Sequence, residues 1–156
     1  MAYVREAVLN DALELAPNMK EGDVEEIKAS NNLIPLEALV IPFTIPNSII
    51  YTAIGNREEP IAMFGSCPTP DEETGIVWLL SAESLIQKTY RTRFLRECNH
   101  WIDVISKPYS YVYNHVDVRN WKSVRWLEHC GFNIIKTEPY GVHQLDFHLL
   151  MRENNV

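Results

Sequence analysis

A chain of 156 residues, 46% apolar and 22% charged, has the size and composition of one globular domain, 1–156, that buries about two-thirds of its unfolded surface. Its net charge of −7 and pI near 5.2 argue against non-specific nucleic-acid binding, which needs clustered Lys and Arg to displace counterions. No run approaches the ~20 apolar residues that span a bilayer, so no membrane partner is expected, and the start Met1-Ala2-Tyr3-Val4-Arg5-Glu6 lacks the basic and apolar regions of a signal peptide.

In chain order, the alternating run from Tyr3 to Val8 predicts a first strand. Asn10-Asp11 offers a cap for a helix over 12–16, which Pro17-Asn18 breaks. Asp23-Val24-Glu25-Glu26 has the form of a capping box, and Val24 and Ile27 give the apolar edge of a helix ending near Ser30. Residues 33–45 are apolar but punctuated by Pro35, Pro42 and Pro46, which predicts a short helix over 36–40 and then an extended loop. Segments 48–54, 61–66 and 76–81 predict three strands joined by turns, an antiparallel meander. The uninterrupted Ile76-Val77-Trp78-Leu79-Leu80 predicts burial on both faces.

Phe94, Cys98, Trp101, Ile102 and Ile105 keep helical spacing over 91–106, and Lys107-Pro108 ends that helix. Tyr111, Tyr113, Val116 and Val118 then predict a strand. Asn120 suits an N-cap, Val124 and Leu127 share a buried helical face, and Gly131 supplies a left-handed stop. A strand over 133–137, a turn at Glu138-Pro139-Tyr140-Gly141 and a last strand over 144–152 complete an α+β order, with 153–156 reading as a disordered tail. Cys67, Cys98 and Cys130 are odd in number and far apart; without metal-ligand spacing they read as reduced thiols of a cytoplasmic protein.

Asn120, two residues, Ser123, then Leu127-Glu128 and Gly131-Phe132 resembles the asparagine-to-Gly-Phe signature of GNAT-superfamily N-acetyltransferases, and the element order matches that topology along nearly the whole chain. The resemblance implies a mixed sheet of about seven strands with helices on both faces. It also implies an acetyl-CoA site where the fourth strand splays from the fifth. There the backbone of Leu79, Leu80 and Ser81 would meet the pantetheine arm, with Asn120 and Ser123 nearby. The following loop would hold the pyrophosphate at a helix N-terminus, where free N–H groups and the helix dipole favour an anion.

The chain departs from that family in two places. Its loop over 82–93 has no glycine and is longer; Glu83 would repel a pyrophosphate, while Lys88, Arg91 and Arg93 could attract one, although a solvated basic helix edge carries the same residues. Leu127 stands where the family often has a tyrosine that protonates the leaving thiolate; Tyr109, Tyr111, Tyr113 and Tyr140 are nearby in sequence, and core packing accounts for each. Glu83, His115, Asp117 and His148 are candidate general bases, each also suited to an ordinary surface or turn role, and His115 and Asp117 share one face of a strand.

Two functions follow from the resemblance. One is an acyl-CoA-dependent N-acetyltransferase acting on a small-molecule or protein amine. The other is a GNAT-shaped protein without catalysis. Val4-Arg5-Glu6-Ala7, Asp11-Ala12, Ile61-Ala62-Met63-Phe64-Gly65, Val77-Trp78-Leu79-Leu80 and Arg93-Phe94-Leu95-Arg96 resemble small GNAT-like proteins of short-tailed bacteriophages, some assigned as acyltransferases and others as internal virion proteins. That likeness implies other virion proteins as partners, and the host cytoplasm or the virion as location.

Overall fold

The computed structural model describes residues 3–154. The chain runs β1 (Tyr3–Glu6), α1 (Leu9–Leu15), a 3-10 turn (Ala16–Asn18), α2 (Glu21–Asn31), α3 (Pro35–Thr44), β2 (Ile49–Ile54), β3 (Pro60–Pro68) and β4 (Thr74–Ser81). A 3-10 turn (Glu83–Ile86) follows, then α4 (Lys88–Ser106), β5 (Tyr111–Asp117), α5 (Trp121–His129), β6 (Asn133–Tyr140) and β7 (Leu145–Glu153). Of the tail expected to be disordered, Glu153 closes β7, and 155–156 lie outside the described residues. Among the described residues no helix is long and apolar enough to cross a membrane.

The seven strands form one sheet in the order β1-β2-β3-β4-β5-β7-β6. Neighbours are antiparallel except β4 and β5, which are parallel. That parallel ladder is short, running from Thr74↔Tyr111 to Ile76↔Tyr113. Beyond it β4 continues to Ser81 and β5 to Asp117 without pairing to each other, so the sheet splits at their C-terminal ends.

Helices cover both faces. On one, α1, α2 and α3 bury Leu15, Ile27 and Leu39 against Met63 and Leu80. On the other, α4 and α5 bury Ile102, Ile105, Val124 and Leu127 against Val77, Val112, Val116 and Leu150. Val77 and Leu80 thus enter different cores, as the unbroken apolar run of β4 predicts.

Local chemistry explains where the elements depart from the sequence expectation. Helix α1 starts at Leu9 because the Asp11 carboxylate accepts the Val8 amide at 2.9 Å. The same carboxylate takes both Arg5 guanidinium nitrogens, at 2.8 and 2.9 Å, and the Thr52 hydroxyl at 2.7 Å, tying α1 to β1 and β2. Helix α3 continues through Pro42 to Thr44, where an extended loop was expected. Pro42 lies inside the helix, where it gives up one backbone hydrogen bond and crowds the preceding turn, and its burial with Leu39 offsets that cost. Strand β6 runs through Pro139 to Tyr140 where a turn was expected, because the antiparallel pairing of β6 with β7 extends to Tyr140↔Leu145. Gly131, at φ +88°, ends α5, and the Phe132 amide reaches back to the Leu127 carbonyl at 3.0 Å.

Candidate active site

Helix α2 bridges the two strand ends at the split. The Ser81 amide donates to Asp23 Oδ2 at 3.0 Å, and the Lys20 amide donates to the Ser81 carbonyl at 2.9 Å. Lys20 Nζ and Asn120 Nδ2 donate to Asp23 Oδ1 at 2.9 and 3.1 Å. On the β5 side, the Asp117 amide donates to Glu26 Oε1 at 2.9 Å, with Asn120 Nδ2 at 3.4 Å from the same oxygen. Asp23 and Lys20 are buried, at 1% and 7% exposure, so this is an enclosed ion pair with its hydrogen bonds largely met.

Two expected caps are therefore absent. Asp23 lies inside the first turn of α2 rather than before it, and its oxygens are spent on Ser81, Lys20 and Asn120. Asn120 precedes α5 but makes no side-chain cap bond; its amide goes to α2 instead. Gly22 allows that approach, since a Cβ there would stand 2.9 Å from Asn120 Oδ1.

Glu26 is the most perturbed carboxyl at the split. Burial, then the neighbouring Asp23 carboxylate, push its pKa up to about 8, against hydrogen bonds from the Asp117 amide and Asn120 and the charge of Lys20. The side chain is half-buried by its accessible surface, the shift favours the protonated carboxyl at neutral pH, and Oε2 has no hydrogen-bond partner among the described residues. Glu26, Trp78, Leu79, Ser123, Trp126 and Leu127 line the void between the strands, which is about 10 Å³, room for about one water.

Strand backbone groups alternate sides. Ser81 turns its amide and carbonyl toward α2, so Leu79, two residues earlier, presents its own to the same open edge. Leu80 faces its partner Met63 on β3.

Across the split, Trp126 stacks on Phe94 with ring centroids 5.6 Å apart, and its buried indole nitrogen acts on the Cys98 thiol and helps to lower its pKa. Outside it lies a cleft of about 380 Å³ between α4 and α5, lined by Arg91, Trp121, Lys122, Arg125 and His129 and by no carboxylate. Trp121 is 54% exposed, and Lys122 Nζ and the Arg125 guanidinium each lie 5.8 Å from its ring. Beneath Trp126 the Cys98 and Cys130 sulfurs are 3.3 Å apart; their contact pulls the Cys98 thiol down and pushes the Cys130 thiol up.

The sequence candidates are distributed around this split. Asn120, Ser123, Leu79 and Ser81 meet at it. Arg91 lines the cationic cleft, whereas Arg93 does not line it and donates to Glu97 at 2.9 Å. Helix α4 begins at Lys88, so the loop after β4 is shorter than expected, though still without glycine. Asp117 is buried and binds the Arg119 guanidinium through both oxygens, at 2.7–3.1 Å. His115 stacks on Tyr140 at 3.9 Å and lies 4.0 Å from Glu138; burial lowers its pKa although Glu138 opposes the shift, leaving it neutral at pH 7. The polar atoms of His115 and Asp117 thus have separate partners. Glu83 is exposed beside Glu14 and Glu59 at a groove of about 590 Å³. His148 Nδ1 meets the Thr137 hydroxyl at 2.6 Å. Sequence reading missed Glu26. The available signal was two acids, Asp23 and Glu26, on the helical edge that also carries Ile27.

No family model matches the chain, and no curated protein sequence does. Solved structures do match. A GNAT-family acetyltransferase from Streptococcus pneumoniae is 17% identical with a TM-score of 0.66, the match covering 98% of this chain and 99% of that one. The fold is that of the GNAT acetyltransferases. A GCN5-related N-acetyltransferase from Kribbella flavida (16% identity, TM-score 0.68, 97% of both chains) has the same fold. So does the Vibrio cholerae spermidine N-acetyltransferase solved with CoA and spermine (17% identity, TM-score 0.67, 97% of this chain and 94% of that one). The β4–β5 split is the splay of the fourth strand from the fifth that the resemblance implies.

Proposed function

We propose that the chain acts as a single-domain, acyl-CoA-dependent N-acyltransferase, with acetyl-CoA as donor and a small-molecule or protein amine as acceptor. The observation that carries this reading is the GNAT split itself: β4 and β5 part after Ile76 and Tyr113, and the carboxylate-free cationic cleft adjoins the gap through Trp126. Arg91, Lys122 and Arg125 suit the donor's phosphates, and the exposed Trp121 ring suits its base. The Leu79 backbone, with Ser123 and Asn120, suits the amide groups of its arm.

A gap of about 10 Å³ admits no pantetheine, so the indole of Trp126 must swing outward when the donor enters. It is half-buried, stacks on Phe94 and is, among the described residues, the one that lines both the gap and the cationic cleft, so it is the wall proposed to move. Neutral His115 can accept the acceptor's proton, and Glu83, with Glu14 and Glu59, would attract a cationic amine. Asp117 is already committed to Arg119 and serves to hold the end of β5. The test is thiol release from acetyl-CoA in the presence of spermidine, a lysine-containing peptide and free amino termini. Amine-dependent release supports the reading; none with any of these or with longer acyl-CoA donors contradicts it.

A second reading rests on the filled gap. Trp78 and Trp126 occupy it, Leu127 replaces a proton donor, and no glycine loop follows β4. These features suit a GNAT-shaped protein without catalysis, and the phage likeness of its sequence would make other virion proteins its partners. Its presence free in infected cells but absent from particles would count against that role.

A further inference from the structure

The acyl-donor reading leaves one reaction partner unassigned. A departing CoA thiolate needs a proton, and Leu127 cannot give one. We propose that Glu26, carried by α2 into the β4–β5 split, is the general acid of this site and takes the role of the tyrosine that Leu127 replaces. The inference rests on the acyl-donor reading above.

The geometry supports it at three points. Glu26 is the one ionisable side chain lining the void that Leu79, Ser123 and Leu127 also line, among the described residues. Its Oε1 is fixed by the Asp117 amide at 2.9 Å and the Asn120 amide at 3.4 Å, which leaves Oε2 to carry a proton. Helix α2 itself is anchored at the split through Asp23, which holds the Ser81 amide and Lys20 Nζ. The charged and titratable groups around Glu26 are Lys20 and Asp23 at the start of α2 and Asp117, already paired with Arg119, on β5. Burial and Asp23 keep the carboxyl protonated to about pH 8, which suits an acid working at neutral pH.

The step balances. The acceptor's neutral amine nitrogen bonds to the acyl carbon, and the carbon–sulfur bond breaks with its electron pair going to sulfur. Sulfur takes the proton from Glu26 Oε2. The nitrogen gives up its extra proton, which returns through solvent or the acceptor base to the Glu26 carboxylate.

The experiment compares the full-length wild type with Glu26→Gln. Carbon-detected NMR of labelled glutamate side chains gives the titration of the unliganded protein. One carboxyl titrating near pH 8 in the wild type and missing in E26Q is expected; all glutamates titrating as ordinary surface carboxyls overturns the proposal. Calorimetry with acetyl-CoA should give E26Q an affinity within about threefold of wild type, while kcat falls by about 10²-fold or more and the alkaline limb near pH 8 disappears. E26Q binding acetyl-CoA with unchanged kcat and pH profile overturns the role of Glu26 alone. A wild type that binds no acetyl-CoA overturns the donor reading and this inference with it. Thermal melts confirm that E26Q folds, and Glu26→Asp, which keeps an acid on a shorter arm, should recover part of kcat.

Discussion

Helices α2 and α5 face each other across the β4–β5 split and close it in opposite ways. From α2 come Asp23 and Glu26, and from the residue before it Lys20; the Lys20 backbone and the two acids bind the strand ends through directed hydrogen bonds. From α5 comes Trp126, which fills space and stacks on Phe94. Directional bonds in a low-dielectric site resist displacement, because an exposed or orphaned partner there is costly. Packing against an aromatic ring yields more easily. On the proposed reading, the α2 wall is the fixed, proton-handling side, and the α5 wall is the side that opens.

Breaking the fixed wall should have the largest effect. Asp23→Ala orphans buried Lys20 and the Ser81 amide and should cost about 3–5 kcal/mol in urea unfolding. A loss under about 1 kcal/mol would remove the distinction between the walls. Trp126→Ala should cost less, about 2–3 kcal/mol, since the residue is only half-buried. It should also speed acetyl-CoA association in stopped flow; slower association would mean the indole is a binding surface and not a plug.

The proton-handling side has a signature in stability. The folded-state pKa of Glu26 is raised from 4.5 to about 8, so its contribution is full below pH 4.5 and is lost as pH rises through about 8. Wild-type Tm should thus decline between about pH 5 and 8, and E26Q should flatten that decline. Asp11 has the opposite sign. Burial raises its pKa, but bonds from Arg5, the Val8 amide and Thr52 outweigh it and hold the carboxyl below its ordinary 3.8. Its contribution is present above that value and is lost on further acidification. The smallest stability effect belongs to the rim of the movable wall. Arg91→Ala with Arg125→Ala should alter Tm little, because both are exposed, while weakening acetyl-CoA binding in a salt-dependent way.

The fold was legible where local chemistry decides it. The apolar runs and turns of β2–β4, the helical spacing of α4 and Gly131 after α5 appear in the sequence at nearly their observed places. Helix α3 passing through Pro42 was not, because burial with Leu39 overrides the expectation that proline breaks the run. At the site, Asn120, Ser123, Leu79 and Arg91 were named from sequence and sit around the split. Glu26 was hidden because its partners are distant in the chain: Asp117 lies 91 residues away and Asn120 lies 94 away. Its neighbour Asp23 reads in sequence as an ordinary cap, and only the sheet split turns both acids inward.

The most direct test of this account is a calorimetric titration of the full-length chain with acetyl-CoA. Saturable one-to-one binding, weakened by added salt and by Arg91→Ala with Arg125→Ala, is the predicted result. Absence of binding at millimolar acetyl-CoA, in wild type and in Trp126→Ala alike, would contradict it.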